Sequence, residues 1–419
     1  MKNLRHCGPN AGPDGFVRRA GLTFATAALA LLAGCAQVTP PLPAPATPPP
    51  AAQITPVPFP DAVLKAANGV FSGALTNAPS PERRVVVIDP LVNGVTGEQS
   101  VATKQIQEQI VALARDKYPQ FDIEPFTAAA VSKGAYVIVG TFTPVNAQGA
   151  TAGVREGFRF CLVMIDLKAG KTVAKSVARA KLDGVDSTPI AFFRDSPAWT
   201  ADANVKSYID TCQTTKVGDP ISQVYVNGIV TASIVSEAID AYDANRYAEA
   251  LELYKSAEKS PAGKQLRVYN GLYLTEWKLG QRQQAAESFG RVVEYGLANN
   301  TLGVKILFRP GSTALGTDPQ NNSPYDMWLR EIANHSASGN ACLQVTGNSS
   351  PSGSAAINEQ LSQLRADYVK GRLESDQPGL HGHVIATGVG SKNNMVGTGA
   401  DDLSDALDRR VDFTVIRSC

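Results

Sequence analysis

The sequence has little net charge and few of the residues that build common catalytic sites. Its 419 residues include 39 Lys and Arg against 38 Asp and Glu, a formal charge of +1. A nucleic-acid partner would call for a basic surface, which this balance does not indicate. No G-x-S-x-G segment occurs, which excludes the nucleophile elbow of a serine hydrolase. These absences favour a protein that is not an enzyme and that uses no cofactor.

Metal and phosphate sites are equally poorly supported. The chain has four histidines and no C-x-x-C pair, and His381 and His383 have no apparent third ligand, so we predict no metal site. The segment "KAGKT" (168–172) is similar to the end of a phosphate-binding loop, but Ile165 stands where that loop requires its first glycine.

The first 60 residues have the features of an export signal and a spacer. Basic residues precede the apolar run "AGLTFATAALALL" (20–32), which has signal-peptide length and is short for a membrane span. The following "LAGC" resembles a bacterial lipobox, which implies a signal in residues 1–35, a lipid on Cys35 and, because residue 36 is Ala, the outer membrane. Residues 36–60 are proline-rich. This segment is typical of an extended polyproline II spacer, in which roughly twenty residues span a length of ~65 Å.

Residues 61–223 have the pattern of an α/β sandwich. "RRVVVIDPLV" is a buried type of strand, and a helix with one apolar face follows it. "FDIEPF" and "AYVIVGTF" predict two more strands, and "FRFCLVMIDLKAGKTVAKSVARA" predicts a hairpin. The order β-α-β-α-β-β-β is similar in pattern to the α/β domains of the envelope lipoproteins LpoB, FlgO and CsgG.

Residues 224–300 contain a helical pattern that repeats. Ala250, Tyr254 and Ala257 recur 35 residues later as Ala285, Phe289 and Val292, close to the period of about 34 residues in tetratricopeptide repeats. The segment resembles two such repeats. Two are fewer than the three usually needed for stability, so we expect them to pack on a neighbouring domain. A plain helical hairpin is the alternative. With either structure, we expect this region to bind an unknown protein partner or to act as a spacer, and not to catalyse a reaction.

Residues 301–419 predict the order β-α-β-α-β-β. "VKILF" and "ACLQVTG" are strands, and Ser354 can cap a helix in which Ile357, Leu361, Leu364 and Tyr368 form one apolar stripe. The segments "ILFRPGSTAL", "NEQLSQLRADYV" and "DRRVDFTVI" resemble the OmpA-like peptidoglycan-binding domain. That resemblance implies a site for the diaminopimelate end of the peptidoglycan stem peptide.

The resemblance also implies which residues form this site. The family's ligand-binding arginine corresponds to Arg365, its helix asparagine to Asn358, and its terminal pair to Arg409 and Arg410. In the family an aspartate in a "G-H-T-D" turn binds the ligand amine, while the arginine binds the carboxylate. A zwitterionic end needs one fixed charge of each sign. The corresponding turn here consists of Gly347, Asn348, Ser349 and Ser350.

Ser350 therefore stands where the carboxylate is expected. A neutral acceptor in place of a charged one should cost about 1–3 kcal/mol. Three interpretations remain open. Binding is weakened or altered, with a carboxylate such as Glu359 or Asp408 helping. Alternatively, the domain is a protein-interaction module, or Arg365 has only a structural role.

Four cysteines remain outside the signal and the lipobox, and an even number in an exported protein suggests two disulfides. Four cysteines allow three pairings. Their positions within the predicted domains favour Cys161–Cys212 and Cys342–Cys419. The second pair would join the start of one strand to the end of another if those strands are antiparallel neighbours.

Together these features predict a multidomain α+β protein with no catalytic activity. We expect an outer-membrane lipoprotein that faces the periplasm and tethers the membrane to peptidoglycan. The alternative is an envelope assembly or regulatory lipoprotein that binds a protein through its N-terminal domain and its repeats.

Overall fold

The apolar segment after residue 83 forms an inner strand of a five-stranded sheet. Strand β1 (Arg84–Ile88) pairs in parallel with β2 (Phe121–Glu124) and β3 (Tyr136–Val145). β3 continues antiparallel into β4 (Gly157–Asp166), and β4 into β5 (Lys171–Ala180). The strand order is β2-β1-β3-β4-β5. The middle strands are apolar along most of their length because both faces of the sheet are covered.

Our computed structural model describes residues 55–80, 82–151, 155–199, 201–316, 324–395, 399, 401 and 404–419. The predicted signal and lipobox, including Cys35, and most of the predicted spacer lie outside these residues. Among the residues described, no helix is both long and apolar enough to cross a membrane.

Five helices accompany the first sheet. Two of them cover one face, where their apolar residues meet those of β1, β4 and β5. On the other face, the helices at 128–132 and 203–213 and the start of the next long helix form a second core, while the short helix at 191–195 packs into the core of the helices that follow. The helices are α1 (Phe59–Asn77), α2 (Val101–Lys117), α3 (Ala128–Ser132), α4 (Ala191–Asp195) and α5 (Ala203–Gln213).

Helix α1 is absent from the sequence prediction, which assigned residues up to 60 to the spacer. The helix begins at Phe59, with Pro60 in its first turn. Proline is tolerated there because the first backbone N–H groups of a helix have no partner within it. Val57 already pairs with Ala180 at the edge of the sheet, so the fold begins a few residues earlier than predicted.

Four more helices follow in two antiparallel pairs. Their bounds are α6 (Gln223–Asp243), α7 (Tyr247–Lys259), α8 (Leu266–Lys278) and α9 (Arg282–Ala298). The turns within the two pairs are equivalent, since Asn245 (φ 60°) and Gly280 (φ 75°) have left-handed backbones 35 residues apart. Both residue types adopt this conformation readily. Tyr254 and Phe289, at the same offset, are both fully buried.

The C-terminal region forms a four-stranded sheet of order β6-β9-β7-β8. Its elements follow the predicted order β-α-β-α-β-β, with short 3₁₀ helices at Pro378–Leu380 and Ser404–Asp408. They are β6 (Lys305–Leu307), α10 (Tyr325–Ser338), β7 (Cys342–Gly347), α11 (Ala355–Asp376), β8 (Val384–Gly388) and β9 (Arg410–Ile416). The predicted α+β class is therefore confirmed.

The helices of the repeat-like region share one hydrophobic core with the C-terminal sheet. The Trp328 ring of α10 stacks on Phe289 of α9, with ring centroids 5.5 Å apart. The Trp328 indole also donates a hydrogen bond to the Tyr273 hydroxyl of α8 (2.8 Å). The two helix pairs thus pack against the C-terminal sheet rather than standing alone.

Both disulfides favoured from the sequence are present, as Cys161–Cys212 and Cys342–Cys419. The first joins β4 to α5 within the core of the N-terminal region. The second joins the start of β7 to the chain beyond β9, and these two strands are antiparallel neighbours, as the pairing requires.

Candidate functional site

Helix α11 positions the arginine that the sequence singled out. The Ser354 hydroxyl caps the helix by accepting a hydrogen bond from the backbone N–H of Ile357. Two glycines facing each other in register, Gly347 of β7 and Gly388 of β8, let the helix lie directly on the strand ends. A Cβ atom on Gly347 would lie 1.9 Å from the carbonyl oxygen of Ser362. The close approach brings one polar face of the helix under the strand ends.

The prediction of one apolar stripe on α11 is wrong, because a polar face of the helix meets the strand ends. Ile357 is 62% exposed and Leu364 is 49% exposed. The buried face instead begins with Asn358, Ser362 and Arg365. Hydrogen bonds rather than apolar contacts hold the first half of this face. The Ser362 hydroxyl, for example, accepts one from the backbone N–H of Gly390 (2.8 Å).

Arg365 is fully buried, and backbone carbonyls surround its guanidinium group. Its Nε donates to the carbonyl of Ser312 (3.0 Å), Nη1 to that of Asn348 (2.9 Å) and Nη2 to that of Arg309 (3.0 Å). Burial, and secondarily the charge of Arg409, lowers the pKa of Arg365 to about 10, while Asp401 acts in the opposite direction. The group therefore remains a cation at neutral pH.

The turn at residues 347–350 is buried and closely tied to its surroundings. The Asn348 amide donates to the carboxylate of Asp412 (3.0 Å), and the backbone N–H of Ser349 donates to the carbonyl of Gly390 (3.0 Å). The hydroxyl of Ser349 is buried and has no partner within the described part of the chain. This turn lies beside Arg365, because Asn348 supplies one of the three carbonyls that the arginine contacts.

A carboxylate does lie next to Ser350, and it comes from a different loop. The Ser350 hydroxyl donates to Oδ1 of Asp401 (2.8 Å), and Nη1 of Arg409 donates to the same oxygen (2.7 Å). Asp401 has a left-handed backbone (φ 57°), and its N–H donates to the carboxylate of Asp405 (2.9 Å). Its side chain is 27% exposed, whereas that of Arg409 is 5% exposed. Asp401 is thus the part of the pair that a ligand can reach.

The two carboxylates suggested from the sequence are engaged elsewhere. Glu359 is exposed and forms an ion pair with Lys392 (2.8 Å). Asp408 is fully buried and accepts a hydrogen bond from the backbone N–H of Met395 (2.5 Å). Asp401 occupies the position for which they were considered. No local motif indicates Asp401, because it is 51 residues from Ser350 and lies beside it through a loop in which Asp401 itself has a left-handed backbone.

The remaining predicted residues surround this centre. Asn358 is buried in the first turn of α11, about two turns before Arg365. Arg410 pairs with Asp412 (2.9 Å) and donates to the carbonyls of Asn393 and Leu407. Arg410 thus stabilises the loops beside the site, whereas Arg409 contacts the partly exposed carboxylate of Asp401.

This arrangement places a partly exposed anion beside two buried cations. Arg365 and Arg409 together carry two positive charges, and Asp401 carries one negative charge. The buried carboxylate of Asp405 belongs to the same cluster, so two cations face two anions. The buried cations can attract a ligand carboxylate, while the exposed edge of Asp401 can accept a hydrogen bond from an ammonium group. The side chains described here offer hydrogen bonding and charge, and both can serve binding.

A second polar cluster lies at the carboxyl end of β1, next to a small cavity. Asp89, Tyr208, Tyr225 and Arg267 are among its lining residues. The Tyr225 hydroxyl donates to the carboxylate of Asp89 (2.9 Å), and the Tyr208 hydroxyl is hydrogen-bonded to the backbone just after β1, at Pro90, and in the middle of β3, at Gly140. Burial raises the pKa of Asp89 to about 7, against the opposing effects of Tyr225 and Arg267.

Comparison with known proteins gives similarities to solved structures alone. No family model matches the chain, and no curated protein does. The peptidoglycan-associated lipoprotein of Burkholderia pseudomallei is 23% identical over 27% of this chain and 89% of that one, with a TM-score of 0.24. The periplasmic domain of Helicobacter pylori MotB is 18% identical over 26% of this chain and 69% of that one, with a TM-score of 0.21.

The NMR structure of E. coli LpoB is 13% identical over 42% of this chain and 96% of that one, with a TM-score of 0.20. All three TM-scores are below 0.5.

Proposed function

We propose that this chain is a non-catalytic protein of the cell envelope that binds the zwitterionic diaminopimelate end of the peptidoglycan stem peptide. The observation that carries the proposal is the hydrogen bond between Ser350 and Asp401. It places a carboxylate one hydrogen-bond length from the position where the OmpA-like resemblance expects one. In this proposal Asp401 is the fixed anion of a zwitterion clamp and Arg365 is its fixed cation.

The two charges contribute differently to binding. Asp401 has an exposed edge and accepts the ligand's ammonium group directly. Arg365 is fully buried, with its Nε and both terminal nitrogens already donating to carbonyls. It attracts the ligand carboxylate through its charge, in concert with Arg409. Since Asp401 must share its carboxylate between Arg409 and the ligand, we expect weaker binding than a free aspartate would give, by about 1–3 kcal/mol.

The same proposal includes the membrane. A lipid on Cys35 would anchor the chain to the outer membrane, facing the periplasm, and the site described above would reach the wall. Replacing Cys35 by Ala should release the protein from the membrane fraction. Unchanged fractionation would contradict the anchor without affecting the proposal about the site.

Sedimentation with purified peptidoglycan sacculi tests the site. We expect the intact chain to pellet with sacculi, and Asp401→Asn to pellet at least roughly tenfold less, since a charged acceptor is lost. Asn is chosen because it tolerates the left-handed backbone at this position. Lys392→Gln, which removes an exposed ion pair with Glu359, is the matched control and should pellet like the intact chain.

A pair of variants at Ser350 sharpens the test. Ser350→Asp alone places a second carboxylate within about a hydrogen-bond length of Asp401, and the like charges should prevent any gain in binding. The double variant Ser350→Asp/Asp401→Asn moves the single carboxylate to the expected turn position and should restore pelleting. Absence of pelleting by the intact chain and by the double variant would refute the proposal.

Burial of Arg365 favours a second candidate function, a protein-interaction module. Ile357 and Leu364 of α11 are exposed beside the same site, and apolar residues on a helix surface are typical of protein contacts. In that case Asp401→Asn should leave sedimentation with sacculi unchanged, while Ile357→Glu/Leu364→Glu should abolish co-purification of a specific envelope protein. The repeat-like helices remain a proposed surface for such a partner.

A further inference from the structure

Three side chains suited to binding a metal ion meet at one corner of the C-terminal sheet. They are Cys342, His383 and Cys419, and their ligand atoms all lie within 4.8 Å of one another. Cys342 and His383 are half-buried, and Cys419 is exposed. The sequence showed a histidine pair with no third ligand, because the two cysteines are 41 residues before His383 and 36 residues after it.

Sheet topology brings the three residues together. β7 lies between β8, with which it is parallel, and β9, with which it is antiparallel. The carbonyl of His383, just before β8, accepts a hydrogen bond from the backbone N–H of Leu343 (2.9 Å). Cys342 lies opposite Ile416 near the end of β9, three residues before Cys419. The starts of β7 and β8 and the end of β9 therefore fix all three residues in place.

The spacing is close to that of a tetrahedral zinc site. With Zn–S of about 2.3 Å and Zn–N of about 2.1 Å, a sulfur and a nitrogen ligand lie about 3.6 Å apart and two sulfur ligands about 3.8 Å apart. The Cys342 Sγ and the His383 Nδ1 are 4.0 Å apart. The two cysteine Cα atoms are 5.5 Å apart, which leaves room for the sulfurs to separate once the bond between them opens.

We propose that reduction of the Cys342–Cys419 disulfide converts this corner into a binding site for Zn²⁺, with Cys342, Cys419 and His383 as ligands and water in the fourth position. A dithiol reductant supplies two electrons and two protons, becomes a disulfide itself and leaves two thiols on the chain. Zn²⁺ binding then displaces the thiol protons, since only thiolates are strong ligands. While the disulfide is closed, its sulfurs are not available as thiolates. The two cysteines are therefore joined either by the disulfide bond or through a shared Zn²⁺ ion.

The two disulfides of the chain provide an internal control. Cys161 and Cys212 are both buried within the core of the N-terminal region. Among the residues described, the one cluster able to hold a metal ion is the one that contains Cys342. Reduction should therefore create one zinc site, not two.

The test uses the full chain with Cys7 and Cys35 replaced by Ser, so that no other thiols compete. The chain is reduced with a dithiol, desalted without oxygen and titrated with Zn²⁺ against a chromogenic chelator. We expect about one Zn²⁺ per reduced chain and none per oxidised chain, as a three-ligand site allows. Co²⁺ in place of Zn²⁺ should give the thiolate charge-transfer and visible bands of a tetrahedral site.

Three variants complete the test. Cys161→Ala/Cys212→Ala should still bind one Zn²⁺ when reduced, and Cys342→Ala/Cys419→Ala should bind none. His383→Ala leaves the disulfide intact and should weaken binding to the reduced chain by at least the roughly tenfold that loss of a partner supporting a ligand costs. Unchanged affinity in His383→Ala would overturn the proposal, even if reduction loosens the fold, because an unfolded chain binds through its thiols alone. No binding by the reduced parent chain would overturn it as well.

Discussion

Replacement of Arg365 by Met separates a structural role for this arginine from a role in ligand binding. Met keeps an unbranched stem, which can still pack on Phe308, the ring that lies 5.4 Å from the guanidinium carbon. The variant loses the three hydrogen bonds to the carbonyls of Arg309, Ser312 and Asn348. These carbonyls lie on two separate loops, so the loss loosens both of them at once.

The magnitude follows from the number and the burial of these bonds. A hydrogen bond to a charged group contributes about 1.5–3 kcal/mol, so the three sum to roughly 5–9 kcal/mol. The buried guanidinium costs several kcal/mol in lost hydration, and Met does not carry that cost. We therefore expect Arg365→Met to lower the free energy of unfolding by about 3 kcal/mol, which corresponds to a decrease of roughly 6–12 °C in Tm.

The assay is thermal unfolding followed by tryptophan fluorescence, since Trp328 lies in the core shared by the C-terminal sheet and the helices. Arg372→Met is the matched control on the same helix. Arg372 is 34% exposed and pairs with Asp326, which is 78% exposed. Its loss should cost less than about 1 kcal/mol. Equal decreases in Tm for the two variants would refute the structural role and would mean that Arg365 is free in solution to meet a ligand.

Two further predictions concern the pH dependence and the packing of the fold. The pKa of Asp89 is raised to about 7 from an ordinary 3.8, so its contribution to stability is fully present below about pH 4 and is lost as the pH rises through 7. Asp89→Asn can still accept the Tyr225 hydrogen bond, and its Tm should therefore fall less than that of the parent chain between pH 4 and 8. Parallel curves of Tm against pH would contradict this. Gly347→Ala places a Cβ 1.9 Å from the Ser362 carbonyl oxygen and should lower the free energy of unfolding, measured in urea, by about 1–3 kcal/mol or more. Gly371→Ala is the control, since its Cβ meets open space, and it should stabilise helix α11 by about 0.5–1 kcal/mol. Similar urea midpoints for the two variants would argue against the close approach of the helix to the strands.

The alternation of strands and helices was predictable where a segment's own pattern determined it. The apolar run at β1 and the hairpin of β4 and β5 are local signals, and both regions fold in the predicted order. Helix α1 was missed because proline near residue 59 is a stronger sequence signal than the helix face behind it. A proline in the first turn of a helix is compatible with both interpretations.

The candidate site was only partly predictable. Arg365 and the turn at Ser350 follow from local motifs, and the structure brings them close together. The orientation of α11 depends on Gly347 and Gly388, which pair across two strands, and pairing of this kind is not visible along the chain. Asp401 depends on a single left-handed residue in a long loop. Side chains that long-range backbone geometry brings together leave no periodic signal in a sequence.

The common core of the helical pairs and the C-terminal sheet has a mechanical consequence. Side chains from Phe192 to Phe413 belong to one packed cluster, so no unpacked linker separates the repeat-like helices from the strands that carry Arg409. A force applied to the sheet would act on all of those contacts together. It would therefore displace the helices as a rigid body rather than extend a linker.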